Sequence, residues 1–423
     1  MNISIFYLAL VFSKVLKAKR KTRNVSSWID IISEHPQAQY SEMSGFLSNL
    51  DTLISATAAL KTSYIADELI SFTSADVADG VGVVAKQDID TRTLLIQVPL
   101  KACISVETIT KSQACNSGLK AIFEDNPGLL SYPDEVLAIG LMYAFLHPDD
   151  STCFWAPHVQ TMPSRFNSTI YWTENERMEI KNSMTFHLTN MMKRQIEVDY
   201  DGVHKALIEN YPAVLGGASI GLYTWALNAV YSRAIDITKG NQHVRIIVPL
   251  VDMANHDPHL NVDPSDTLHY DESLDVIQLI CPVARKAGDE CCIVYGKYPN
   301  AKLLFNYGFA VLNNPHKAID LWTKLPPTSY QYEYKQKVLQ SNELTSYQSY
   351  DFKGTIRENY IAPALLATIR VIQSDEIDLP QVNNAFKGKM ISVRNEMASY
   401  VSLRGLLVNR MKAEGAEVGI QYL

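Results

Sequence analysis

The spacing of apolar positions changes period along the chain and marks out its organisation. Leu47, Leu50, Leu53 and Ile54 recur at helical spacing, and an Ala-rich run follows, so 29–70 reads as helical. The character changes at Phe72. Residues 81–98 are short, β-branched runs around a turn at 88–91, closed by Pro99, and read as hairpin-like. From about 104 to 230 the helical period returns. It is clearest over 134–145, over 174–207 as two helices, and over 219–237, a helix expected to end near Gly240. Between these, 154–172 carries two prolines and many aromatics and reads as packed, irregular chain. Strand patterns reappear at 244–251, 273–281 and 290–295, with a short strand or turn over 306–311. Residues 335–344, 361–372 and 392–405 look helical. The layout is helix, small sheet, long helical insert, small sheet, helical tail. A doubly wound sheet needs strands and helices in regular alternation, which this chain lacks.

Length and composition narrow the class. At 423 residues the chain holds two or three domains. With 47% hydrophobic and 20% charged residues it is not globally disordered. A formal charge of -7 argues against wholesale coating of nucleic acid. Cys103, Cys115, Cys153, Cys281, Cys291 and Cys292 form no C-x-x-C pair, so unpaired thiols in a reducing compartment are expected. Residues 1–12 are mostly apolar but too short to span a bilayer. The basic run Lys14, Lys17, Lys19, Arg20, Lys21 and Arg23 follows them. Three readings stay open there: a first helix of the fold, a targeting or membrane-surface segment, or a wrongly chosen start codon. No later window reads as transmembrane.

Several polar groups sit where strands end. Asp79-Gly80-Val81-Gly82 permits close backbone approach, but β-rich sequence follows, so it is no dinucleotide fingerprint; a plain turn is the alternative. The apolar run 248–251 leads straight into Asp252, Asn255 and His256, which places polar groups rigidly. Capping of local backbone is the alternative. His256, His259, Asp263 and His269 match no standard metal spacing, and no metal is expected. Tyr295 and Tyr307, each beside a glycine, suit a narrow aromatic pocket or ordinary core packing. Arg233 ends an otherwise apolar helix and needs a partner: a ligand's carboxylate, Asp236 or plain solvation. No G-x-S-x-G elbow, H-E-x-x-H or P-loop occurs, so nucleophilic hydrolysis has no anchor.

The order of these pieces resembles the SET-domain protein methyltransferases, in the branch of the plant Rubisco large-subunit lysine methyltransferase and its animal relatives. The resemblance rests on Asp79-Gly80-Val81-Gly82 with Asp88-Ile89, on Phe154-Trp155-Ala156-Pro157 with Met162-Pro163 and Tyr171-Trp172, and on Tyr231-Ser232-Arg233. It continues through Asp252-Met253-Ala254-Asn255-His256, then Tyr295-Gly296, Asn300-Ala301, Leu303-Leu304 and Asn306-Tyr307-Gly308-Phe309. It covers about 75–311. Asp79 replaces a Glu, His158 replaces a Tyr, and Asp257-Pro258 stands where Ser or Thr is usual.

The resemblance implies an α+β fold. A SET domain over 71–311 would have a knot-like crossing and a helical insert at about 104–230. An N-terminal helical segment, 1–70, would precede it, and an all-helical substrate-binding domain, 321–423, would follow. It implies S-adenosylmethionine as cofactor, held by Asp79, Gly80, Val81, Arg233, Asn255 and His256. Tyr295 and Tyr307 would be catalytic, and Asp252 would serve substrate binding. The implied activity is N-methylation of lysine in a non-histone protein. One animal relative methylates a histidine of actin, so a histidine acceptor is an alternative, as is a catalytically silent scaffold. The expected partner is a protein substrate bound by the cleft and the helical tail, without nucleic acid, to a monomeric enzyme. A cytoplasmic compartment is the default, with plastid or nucleus as alternatives.

Overall fold

A computed structural model describes residues 49–55, 57–58, 62–75, 80–111, 117–342, 347–352 and 359–413. Residues 1–48, Asp79 and Cys115 lie outside the described residues.

Three small antiparallel sheets form the β part. β1 (Tyr64–Ile65), β4 (Leu94–Pro99), β9 (Val276–Ile280) and β8 (Leu268–Asp271) lie side by side in that order. β2 (Ile70–Ala75) pairs with β3 (Gly80–Ala85). β5 (Ile104–Ser105), β7 (Gln242–Ile247) and β6 (Ile235–Lys239) make the third. Their inward faces share one core that includes Val83, Ile96, Val98, Ile246, Ile277 and Leu279. Leu50 and Leu53, from the helical stretch 49–55, join it.

Two sequence expectations are corrected here. Residues 81–85 and 94–98 are not a hairpin: β3 pairs backward with β2, whereas β4 pairs with β1 and β9. The helix expected over 219–237 stops at Arg233, and β6 begins at Ile235. Ile235 and Ile237 alternate with Asp236 and Thr238, a period of two that β-branched residues favour. Gly240, with φ of 58°, turns the chain into β7. Strands also reach into 64–75, which the helical reading of 29–70 missed.

The insert has its own core. Helix Pro133–Leu146 is buried from Val136 through Ala144, which is why its apolar residues run all round it rather than along one stripe. It packs with Ile220–Arg233 and with Trp155, whose Nε1 donates to the Gly140 carbonyl at 3.0 Å. Each fully buried side chain of Leu, Ile or Val size contributes about 1.5–3 kcal/mol.

The C-terminal region is largely helical, with helices Tyr332–Ser341, Pro363–Ile372 and Val393–Ala413. It is not wholly so. β10 (Lys317–Trp322), β11 (Tyr347–Phe352) and β12 (Asn359–Ile361) form an antiparallel sheet. Two buried cations tie its helices. Arg370 grips Glu396 with two hydrogen bonds of 2.7 Å. The Lys335 ammonium donates to the carbonyls of Ile372, at 3.0 Å, and Ser374, at 2.6 Å. Those carbonyls lie at a helix C-terminus, where cations are favoured.

Candidate functional site

The segment 289–295 lies between two others. On one side Cys291 N–H donates to Val83 O of β3 at 2.7 Å, and Ala85 N–H donates to Asp289 O at 2.9 Å. On the other, Ile293 N–H donates to Asn255 O at 2.8 Å and Asp257 N–H donates to Ile293 O at 3.0 Å. This crossing brings Asn255 and His256 beside Tyr295, far along the chain.

Each side chain there has a definite task. Asn255 Nδ2 donates to Glu290 Oε1 at 2.6 Å and to Val81 O at 3.3 Å, joining three segments. His256 Nδ1 accepts from Tyr295 N–H at 3.1 Å, which leaves the ring proton on Nε2. The two rings stack at 5.0 Å and 18°. The Tyr295 hydroxyl donates to Ala254 O at 3.0 Å. Tyr307 lies 4.9 Å from Tyr295, ring to ring, and Phe309 lies 6.3 Å from His256. The result is a wall of aromatic faces.

Helix Asn300–Tyr307 aims Tyr307 into that wall, rather than the strand or turn expected at 306–311. Gly308 ends it in the left-handed region, φ 80°, where a Cβ would stand 2.7 Å from Asn167 O. Glycine is therefore required twice over, by backbone conformation and by the approach of the insert. The Asn300 amide then clamps Val311, donating to its carbonyl at 2.8 Å and accepting its N–H at 3.1 Å.

Asp252 lies just after Leu250, a buried non-glycine residue at φ 67°. Such strain persists where the surroundings enforce it. The Asp252 side chain is 2% exposed. Its Oδ2 accepts from Arg233 Nη1 and from His158 Nε2, both at 3.0 Å. Arg233 Nη1 also reaches the Asp252 carbonyl at 3.3 Å, while its side chain stays 18% exposed. The sequence placed Asp252 against the substrate. Its carboxylate holds Arg233 and His158. Asp236, the other candidate partner of Arg233, pairs with Arg245.

Burial governs the titration of these groups. Burial pushes the Asp252 carboxyl up, but His158 and Arg233 outweigh it and hold it below the usual carboxylate range. Burial pushes the His256 imidazole down to about 4, so it is neutral near pH 7. Burial raises both the Tyr295 and Tyr307 phenols, which stay protonated. The site thus presents a fixed guanidinium, a neutral imidazole and neutral phenols. Arg233 Nε, Asp252 Oδ1, His158 Nδ1 and His256 Nε2 are buried polar atoms with no hydrogen-bond partner among the described residues. Four such atoms in one place mark a site built to meet something polar.

Of the residues singled out in the sequence, Val81, Asn255, His256, Tyr295 and Tyr307 come together, with Arg233 and Asp252 alongside. Gly80 opens β3 beside Val81, and Asp79 lies outside the described residues. Sequence reasoning missed Glu290 and Tyr298. Glu290 offered no signal beyond an acid at the start of an apolar run. Tyr298 and Lys302 stand four apart at a helix start, a spacing that puts side chains together. His158 was noticed only as a departure from a family pattern.

Comparison with known proteins agrees with this geometry. Residues 326–416 match the family model described as Rubisco LSMT substrate-binding. The actin-histidine N-methyltransferase of Gallus gallus is 25% identical over 310 residues, covering 72% of this chain and 50% of that protein. The Mus musculus protein of that name is 26% identical with the same coverage. The chain spans about half the length of these curated relatives. Among solved structures, the SET domain of LSMT bound to lysine and AdoHcy superposes with a TM-score of 0.67 at 20% identity, covering 88% of this chain and 83% of that one. Rubisco LSMT bound to AdoMet gives 0.65 at 20% identity, with the same coverage. This chain has the SET-domain fold with a helical insert and a largely helical C-terminal region, and its relatives come from the Rubisco LSMT and actin-histidine branches.

Proposed function

We propose that this protein transfers a methyl group from S-adenosylmethionine to a side-chain nitrogen of a protein. One observation carries the reading. The crossing at 289–295 seats Tyr295 against the Asn255-His256 pair, three residues from the Asp252–Arg233 ion pair, in a fold whose solved examples include AdoMet-bound LSMT. The residues suit the cofactor. Arg233 is partly exposed and keeps Nε free of protein partners, which fits a carboxylate. His256 Nε2 offers a further polar contact.

When bound, S-adenosylmethionine supplies a methyl already activated by its sulfonium. The residues have only to bind, orient and exclude water. Placement alone lowers a barrier by about 7–11 kcal/mol in well-oriented systems. Tyr295 keeps its proton and donates a hydrogen bond to Ala254 O, which leaves its oxygen lone pairs able to accept. That oxygen is suited to direct the acceptor nitrogen and to stabilise positive charge arriving there. Tyr307 and Phe309 form walls that exclude water.

The acceptor has two readings. The curated relatives act on an actin histidine, and this favours histidine over the lysine first expected. The lysine held in LSMT supports the other. Calorimetry with S-adenosylmethionine tests the core proposal. One-site binding that weakens strongly in Arg233→Gln is expected. Folded protein that binds none would overturn it. Methyl transfer to paired peptides differing only in His or Lys at the acceptor then separates the two readings.

A further inference from the structure

The aromatic wall does not stop at Tyr307. The Tyr298 ring lies 6.4 Å from Tyr307 at 25°, which extends the wall outward. One face of Tyr298 covers Gly296, where a Cβ would sit 2.5 Å from the ring. Gly296 directly follows Tyr295 and has φ of 154°, so Tyr298 is fitted against the backbone of the reaction site. The Lys302 ammonium lies over the ring as well, 3.8 Å from its centroid. Lys302 is exposed and makes no ion pair among the described residues, so its charge is met by the ring rather than by an acid. The backbone that carries the ring is pinned: Tyr298 N–H donates to Gly296 O at 2.9 Å, and the buried Asn314 donates to the Tyr298 carbonyl at 2.9 Å.

A rigid, electron-rich face beside the site, covered by the free end of a flexible lysine, is a cation subsite with a removable occupant. We propose that Tyr298 reads a basic side chain flanking the acceptor in the protein substrate, and that Lys302 holds this place until the substrate arrives. The proposal rests on the methyl-transfer reading for its meaning. Its binding chemistry stands apart from it. Tyr298 acts here as a specificity residue, and Lys302 as its competitor.

The test uses the full chain and two small probes, Nα-acetyl-argininamide and its neutral isostere Nα-acetyl-citrullinamide, followed by saturation-transfer NMR. Arginine is not an acceptor in either reading, so the probe reports the subsite alone. Lys302→Met should bind the arginine probe about two- to fivefold more tightly than the unaltered protein, the range an exposed cation–π contact supports. Citrulline binding should not change. Adding Tyr298→Leu to Lys302→Met should erase the gain. Equal arginine affinity with and without Lys302, a gain that survives Tyr298→Leu, or no arginine binding by any form would each overturn the proposal. Calorimetry with S-adenosylmethionine on the same samples keeps the two ideas separate. Cofactor binding without an arginine gain sinks only the subsite. An arginine gain without cofactor binding sinks only the methyl-transfer reading.

Discussion

His158 Nε2 stands 3.0 Å from Asp252 Oδ2, the oxygen that also takes Arg233 at 3.0 Å. One buried carboxylate oxygen therefore orients both the His158 ring and the guanidinium that faces the site. Removing Asp252 strands a partly buried Arg233. Asp252→Ala should cost about 3 kcal/mol of stability, the low end for breaking a buried pair because Arg233 keeps some solvent. His158→Phe preserves the ion pair and should cost about 1–2 kcal/mol through the lost hydrogen bond. Cofactor affinity should fall in the same order. Denaturant melts and calorimetry on both variants check this. Equal losses from the two would show that Asp252 does not act through Arg233.

Tyr295→Phe removes only the hydroxyl that donates to Ala254. The stacking on His256 and Tyr307 stays, so the fold and cofactor binding should survive. Turnover should drop by about a hundredfold or more, as for loss of one preorganised polar group. Single-turnover methyl transfer is the measurement, with cofactor affinity from calorimetry beside it. Undiminished turnover would remove Tyr295 from the chemistry.

Gly308 tests how the insert is joined to the site. Its φ of 80° and the closeness of Asn167 leave no room for a side chain. Gly308→Ala should destabilise by about 2 kcal/mol through strain and overpacking. It should also lower turnover, because Tyr307 ends the same helix. A thermal melt unchanged from the parent protein would contradict the close approach.

Local pattern revealed the polar strand ends at Asp252, Asn255, His256 and Tyr295, because an apolar run stopping at a polar cluster is visible without knowing the fold. It did not reveal that 293 pairs with 255 or that 291 pairs with 83, since periodicity gives the face of a strand and not its neighbour. The same gap explains the mistaken hairpin over 81–98. The helix over 219–237 ran too long because helical and strand periods both tolerate apolar residues at 230, 235 and 237; only the tertiary pairing of Ile235 with Ile246 decides. Tyr298 was missed for a related reason. It lies outside every strand end, and its role depends on Gly296 and Lys302 both meeting its ring.

Burial of His256 has a consequence for stability. Its folded pKa of about 4 lies below its ordinary 6.5, so between those values the unfolded chain binds more protons than the folded one. Stability should therefore rise with pH across that window and fall as the solution is acidified from 6.5 toward 4. Asp252 acts in a separate window. Its lowered pKa contributes stability above 3.8 that is lost on further acidification. His256→Gln should flatten the upper window and leave the lower one. Urea melts at half-unit pH steps check it. An unchanged slope between pH 6.5 and 4 in the variant would mean that His256 is not the group responsible.

The same titrations make the pH–rate profile a report on the acceptor. His256 is neutral above about pH 5 and the raised Tyr295 and Tyr307 phenols keep their protons through pH 10. Asp252 is charged throughout that range. His256, Asp252, Tyr295 and Tyr307 thus contribute no break between pH 6 and 9. A histidine acceptor, ordinarily near 6.5, needs no help to expose a nitrogen lone pair, so kcat/KM should level off by about pH 7.5. A lysine acceptor, ordinarily near 10.4, must lose a proton first, so kcat/KM should climb about tenfold per unit through pH 7 to 9. Running the profile on paired His and Lys peptides assigns each limb to its acceptor nitrogen. If a break in this range persists on both peptides and moves in Tyr295→Phe, the phenol is titrating, and its role as a neutral director of the acceptor fails.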